Sequence, residues 1–252
     1  MNNKYLNLLS EMSVSEFKLK DQSTILGFFW TLLNPLLMFT VLYLLFTKWM
    51  GKFVENYPLY LIIGIIQWSF FASATSYALS SLVRRSDLVK NLKFPYEIII
   101  FSSIFSILIS HLLEFAVLLV FLVAIGVKIT LNIFFLPLII ITALSFAVSI
   151  SLPLAMLFVY YRDIERIWNI LTMAGFFLTP IFYTLSVISP ERQFLLLFNP
   201  MTHIINATRS CLIYNKMPDL VNLLIIFMAS LFLIAITIKI FKKNEQNFAE
   251  IL

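Results

Sequence analysis

The chain has 252 residues, of which 61% are hydrophobic and only 12% charged, a formal net charge of +5 and a single cysteine, Cys211. An ordinary soluble domain carries roughly 25% charged residues, so a soluble fold is excluded, and one cysteine excludes an intrachain disulfide. Apolar sequence runs from residue 25 to residue 238, which also rules out a soluble domain on a single anchor.

Spans in lipid are helices or closed barrels, because every backbone polar group must be paired internally. The apolar tracts here are far longer than the roughly 9–11 residues of a barrel strand and do not alternate, so the sequence predicts an all-α polytopic membrane protein. The basic sequence pI near 9.3 suggests nucleic acid in a soluble protein. Here the bases cluster as Lys4, Lys18 and Lys20; Arg84, Arg85, Lys90 and Lys93; Arg162 and Arg166; and Lys239, Lys242 and Lys243. Positive residues in short loops stay cytoplasmic, so these clusters mark one membrane face, with both termini on it, and no nucleic-acid partner is expected.

Residues 1–24 are polar to amphipathic and lack the compact apolar core and cleavage site of a signal peptide; an interfacial helix and a partly ordered cytoplasmic tail both fit. Residues 22–47 carry no charge and exceed the ~20 needed to cross the hydrocarbon, giving span one, with Pro35 predicted to kink it. Phe28, Leu32, Phe39, Tyr43 and Phe46 fall on one helical side. Residues 56–83 form span two, whose small and hydroxyl residues Ser69–Ala78 suit a helix contact.

The segment 84–97 is the longest charged stretch between two spans. Leu88, Val89 and Leu92 form a short apolar ridge on it, bounded by bases, that fits either a groove on a soluble partner or the lipid headgroups. Span three is 98–127, with one acid, Glu114, and His111 one turn earlier, or Ser110, as a candidate partner. A buried carboxylate costs several kcal/mol, so Glu114 serves either substrate or subunit contact, or a structural hydrogen bond. Residues 129–161 form one long span four, and 167–187 span five with Pro180 inside it. Within 188–216 the uncharged piece 193–208, only 16 residues and interrupted at Asn199-Pro200, suits a re-entrant or interfacial hairpin. Residues 220–238 form span six, and 241–252 a cytoplasmic tail.

No Walker loop, His-Glu-x-x-His, Gly-x-Ser-x-Gly or cysteine cluster is present, so an energy source would lie on another subunit. Phe176 and Tyr183 give span five an aromatic face like that of span one, fitting either sugar-ring stacking or lipid contact.

Four stretches together carry a family resemblance: Gly27-Phe28-Phe29-Trp30-Thr31-Leu32-Leu33-Asn34-Pro35; Arg84-Arg85-Ser86-Asp87-Leu88-Val89-Lys90-Asn91-Leu92-Lys93-Phe94-Pro95 with Glu97; Tyr160-Tyr161-Arg162-Asp163-Ile164; and Asn199-Pro200 followed by Arg209. Over nearly its whole length the chain resembles the ABC-2 type permeases of polysaccharide exporters, which serve O-antigen, teichoic acid and capsular polysaccharide. The resemblance implies a six-span permease spanning residues 25–240, in the inner membrane, that moves a lipid-linked glycan. It also implies a homodimer with two separate ATPase subunits; ATP and Mg2+ would sit on those subunits, no cofactor on this chain, and the chain would not be an enzyme. A coupling helix at about 84–95 would dock on the ATPase through Arg84, Arg85, Asp87, Leu88, Val89, Lys90, Leu92, Lys93 and Pro95, with Arg162 and Asp163 as a second contact. Phe28, Phe39, Tyr43, Phe46, Phe176 and Tyr183 would line the glycan path, while His111 and Glu114 match no motif of the family. An exporter of drugs or small lipids could use the same six-span body.

Overall fold

The computed structural model describes residues 2–20, 27, 29–91, 94–127 and 130–251, and among these every regular element is helical. In chain order they are α1 (Asn2–Lys20), α2 (Phe29–Met50), α3 (Tyr57–Leu79), α4 (Ser81–Arg84), α5 (Ser86–Asn91), α6 (Glu97–Ala124), α7 (Leu136–Tyr160, entered by a 3-10 turn at Leu131–Phe135), α8 (Ile164–Leu178), α9 (Pro190–Leu197), α10 (Pro200–Leu212) and α11 (Leu220–Ile251).

Five of these stretches are long and apolar enough to cross a membrane: Phe29–Met50, Tyr57–Leu79, Glu97–Ala124, Leu131–Tyr160 and Leu220–Asn244. They coincide with expected spans one to four and six. The expected fifth, 167–187, is different. Its helix α8 has 15 residues, about 22 Å at 1.5 Å per residue, short of the ~30 Å hydrocarbon core. Pro180 lies just past the end of this helix rather than within it. Proline has no N–H to donate and disfavours helical geometry in the residue before it, and Thr179 is extended, at φ −92° and ψ 137°. Pro35 and Pro153, by contrast, stay inside α2 and α7.

The hub is α3, buried over most of its length, with α2, α6, α7, α8 and α10 packed around it. The small and hydroxyl residues of its second half serve this role: Ala74, Thr75 and Ala78 are fully buried, and the Thr75 hydroxyl accepts from Trp168 Nε1 at 3.0 Å. A Cβ on Gly175 would lie 2.7 Å from the Trp68 ring, so this glycine lets α8 close on α3. The expected hairpin at 188–216 contains the two short helices α9 and α10, and Asn199 caps α10 by accepting from the Met201 amide at 3.0 Å. The expected tail after residue 240 continues α11 to Ile251, with Phe241 and Phe248 fully buried.

Ending α8 at Leu178 leaves the next carbonyls without helical partners, and four successive ones are taken by distant side chains. Arg209 of α10 donates to Pro180 O at 2.9 Å and Ile181 O at 2.8 Å. Tyr57 Oη donates to Phe182 O, and Tyr60 Oη to Tyr183 O, both at 2.9 Å. The same guanidinium forks onto Tyr60 O through Nε at 3.1 Å and Nη2 at 3.0 Å, and its carbon lies 3.3 Å from the Tyr60 ring centroid. Arg209 is 1% exposed. Gly64 makes the room, since a Cβ there would stand 2.7 Å from Arg209 Nη2. Asn199 Nδ2 to Thr179 Oγ1 at 2.7 Å and Gln67 Nε2 to Thr208 Oγ1 at 2.8 Å fix the flanks of this joint.

Replacing Arg209 by Met removes all of these donors at once. Each orphaned buried acceptor costs about 1–3 kcal/mol, and a loss of ~3 kcal/mol lowers Tm by about 6–12 °C. Arg209→Met in detergent is expected to show that drop in a thermal-unfolding measurement, and Arg209→Lys to recover little, because an ammonium lacks the planar fork. An unchanged Tm in both would show that the joint is held otherwise.

Candidate functional site

The segment expected to couple to a partner folds as α4 and α5, which hang below α3. Its bases are not all free. Arg85 donates to Glu16 of α1, Nε to Oε1 at 2.7 Å, and its Nη2 also lies 2.7 Å from Oε1. Tyr77 Oη donates to Glu16 Oε2 at 2.8 Å. Arg84 lies over the Tyr77 ring at 3.9 Å and reaches Ser80 Oγ at 3.0 Å. Glu16 is 2% exposed, so one buried carboxylate ties the amino-terminal helix to the charged turn. That helix also packs along α6, where burial, and secondarily the Glu97 carboxylate, holds the Tyr5 phenol above its ordinary range. Residues 2–20 are thus a packed helix rather than a loose tail.

Within α5 the ridge splits. Val89 is 1% exposed, its carbonyl accepts from Tyr96 Oη at 3.1 Å, and the helix contacts α11. Val89 therefore faces the body of the protein. Leu88 is half-buried, while Asp87, Lys90 and Pro95 are exposed; Leu92 and Lys93 lie outside the described residues. The second turn presents Arg162 and Asp163, both exposed, with Arg162 5.1 Å over the Phe158 ring.

The two aromatic faces meet. Phe46 of α2 lies 4.9 Å from Phe182, which in turn packs on Tyr183 at 5.1 Å and Phe176 at 6.1 Å between ring centroids. Phe39 stacks on Tyr43 at 5.5 Å, and Phe176 is buried. All of these residues pack on the core, whereas the outward side of α2 exposes Leu36, Leu37, Val41, Leu44 and Leu45. Phe28 lies outside the described residues.

His111 and Glu114 do approach, Nδ1 to Oε2 at 3.8 Å, beyond hydrogen-bond length. His111 is sandwiched by Phe70 at 4.4 Å and Phe115 at 4.8 Å. Among the described residues, neither ring nitrogen has a hydrogen-bond partner, nor do Glu114 Oε2 and Ser110 Oγ.

The sequence reading missed Glu16, Tyr57, Tyr60 and Gly64. For Glu16 a signal existed, as an acid in an amphipathic lead with two arginines after span two. Gly64 is a lone glycine inside an apolar span, a usual mark of close approach. Candidate metal-holding clusters are absent among the described residues.

Glu16→Gln weakens charge-assisted bonds that contribute about 1.5–3 kcal/mol when well shielded, and less here because Arg85 is partly solvated. Limited proteolysis is expected to cut the chain near residue 20 at least several-fold faster in Glu16→Gln and in Arg85→Gln. The double variant is expected to add little, as for two partners in one contact. Equal cutting in all four proteins would contradict the tie.

Known proteins bear on this arrangement. The chain is 29% identical over 248 residues to an O-antigen export system permease protein RfbA of Myxococcus xanthus, covering 98% of this chain and 95% of that protein. Two RfbA proteins of Klebsiella pneumoniae, also O-antigen export system permeases, are 29% and 28% identical over 247 residues each, with the same coverage. The profile of the ABC-2 type transporters matches residues 8–213, which takes in α1, the charged turn, the aromatic cluster and the Arg209 joint. The chain belongs to the ABC-2 type transporter family.

Proposed function

We propose that this chain is the permease subunit of an ATP-driven exporter that moves a lipid-linked polysaccharide, of the O-antigen kind, across the cytoplasmic membrane. The observation that carries this is similarity over 98% of the chain to permeases of O-antigen export. The five apolar spans agree with such a role. The chain crosses the membrane six times in this reading, with α8 and the turn to Tyr183 completing one crossing, α9 and α10 forming a re-entrant pair on the outer side, and both termini in the cytoplasm. The clustering of bases on α1, on the α3–α6 connection, on the α7–α8 turn and on α11 supports that orientation.

Two copies pair around the glycan path, and two ATPase subunits supply ATP and Mg2+. Closure of the ATPases pushes on α5 and on the turn at Arg162 and Asp163. Because Val89 is already committed to the body, the docking contact falls to Leu88, Asp87 and Lys90, which stay accessible. A push there reaches α1 through Arg85 and Glu16, and α3 through α4, which contacts both α5 and α3. The aromatic cluster of Phe46, Phe176, Phe182 and Tyr183 lies where α2 meets the end of α8, and its ring faces suit the apolar faces of sugars. Leu88→Asp is expected to cut co-purification of the ATPase subunit at least tenfold and to abolish surface glycan, while the permease still inserts in the membrane. Unchanged co-purification would remove α5 from the coupling role.

A further inference from the structure

Between α2, α3 and α6 lie two adjoining chambers. The first, about 90 Å³, is lined mainly by polar groups, among them Asn34, Ser69, Ser73, Ser110, His111 and Glu114, with Lys20 at its border. The second, about 320 Å³, is apolar, lined among others by Leu32, Leu36, Phe39, Ile66 and Phe121. Pro35 and Glu114 border both, so the two form one slot with a polar and an apolar end. The apolar end opens sideways, past Leu36, Val117 and Phe121, each about half exposed, at 50%, 50% and 51%.

The polar end contains groups that need a partner. His111 is 1% and Ser110 3% exposed, and both ring nitrogens, Ser110 Oγ and Glu114 Oε2 lack a hydrogen bond among the described residues. Leaving such groups buried and unmatched is destabilising. Water at about 10–15 Å³ per molecule could fill the polar chamber, but it does not wet the apolar chamber beside it. Hydrocarbon fills that chamber and leaves the polar one unsatisfied. We propose that the slot binds a single-chain amphiphile, with a hydroxyl-bearing head hydrogen-bonded to Glu114, His111, Ser110 and Asn34 and its hydrocarbon tail between α2 and α6.

The mixture of side chains selects the head. Asn and Ser side chains both donate and accept, as hydroxyl groups do, and the carboxyl oxygens of Glu114 can accept from hydroxyls. The polar end lies toward Lys20 and the apolar end toward Pro58 and Phe121. His111 is the fifteenth of the 28 residues of α6, so the polar end sits against the middle of that helix and the apolar end toward its later half. An amphiphile seated here has its head at that level of the helix. Its transport meaning rests on the export reading; the binding itself does not.

The test uses the full-length protein in phosphatidylcholine nanodiscs with decyl glucoside bearing a diazirine on its chain, and peptide mapping of the products. Labelling is expected to concentrate on residues 32–39 and 117–121, and to fall at least fivefold in Glu114→Gln and in Ser73→Leu, which blocks the polar chamber. Variants whose Tm matches the parent protein are compared. A diazirine alkane without a head is expected to label parent and variants alike. Chase of the labelling by a carbohydrate-bearing lipid extract assigns the site to the exported carrier, and chase by lysophosphatidylglycerol, which has one chain and a glycerol head, assigns it to a membrane lipid; either supports the site. Labelling that ignores both substitutions, or headless-alkane labelling that falls as much in the same two variants, overturns it. Glycan export that persists in that case leaves the export reading standing.

Discussion

Four consecutive carbonyls, from Pro180 to Tyr183, govern how this protein is put together. Backbone polar groups away from water must be paired, and a proline at position 180 denies them a helix. The protein answers with two tyrosines of α3 and one arginine of α10, each supplying donors from outside the segment. Three elements far apart in sequence are thereby locked at one point. The buried charge of Arg209 is spread over a guanidinium that faces carbonyl dipoles and a tyrosine ring rather than a carboxylate. Such an arrangement is geometrically demanding, because a fork must meet several oxygens at once, and it is correspondingly rigid.

At the opposite end of α3 the same helix ends in a charged turn whose strongest tie is to Glu16. One helix thus connects a rigid joint at one end to a charged, partly open surface at the other. Displacing α5 would strain a body in which Val89, Phe241 and Phe248 are already packed, so motion would be passed on rather than absorbed locally. The uncovered outer side of α2 and the aromatic cluster behind it lie beside this lever. The mechanics suit a subunit that receives work from elsewhere and uses it to change a path through the membrane.

The spans were legible in the sequence because continuous apolarity is a local property, and the charge clusters were legible for the same reason. Pro180 was expected inside span five rather than at its helix end, since its surroundings depend on Arg209, Tyr57 and Tyr60, the last two more than a hundred positions away. The ridge of Leu88, Val89 and Leu92 looked uniformly available from its spacing. Val89 turns inward because Tyr96 holds its carbonyl and α11 extends past the span to meet α5, neither of which spacing reveals. The pairing of His111 with Glu114 was visible as an (i, i+3) approach, but the lack of hydrogen-bond partners around both depends on how α2 and α3 close over α6. The four stretches that carry the family resemblance all lie within the matched residues 8–213.

Transport itself is the most direct measurement. The permease, reconstituted in proteoliposomes with its ATPase subunit facing the bath, is given lipid-linked glycan from outside, and the fraction that becomes protected from an added glycosidase is followed. The account predicts protection that grows only with ATP and Mg2+ and disappears with Leu88→Asp. Active ATP hydrolysis by the intact complex with no protected glycan would contradict it.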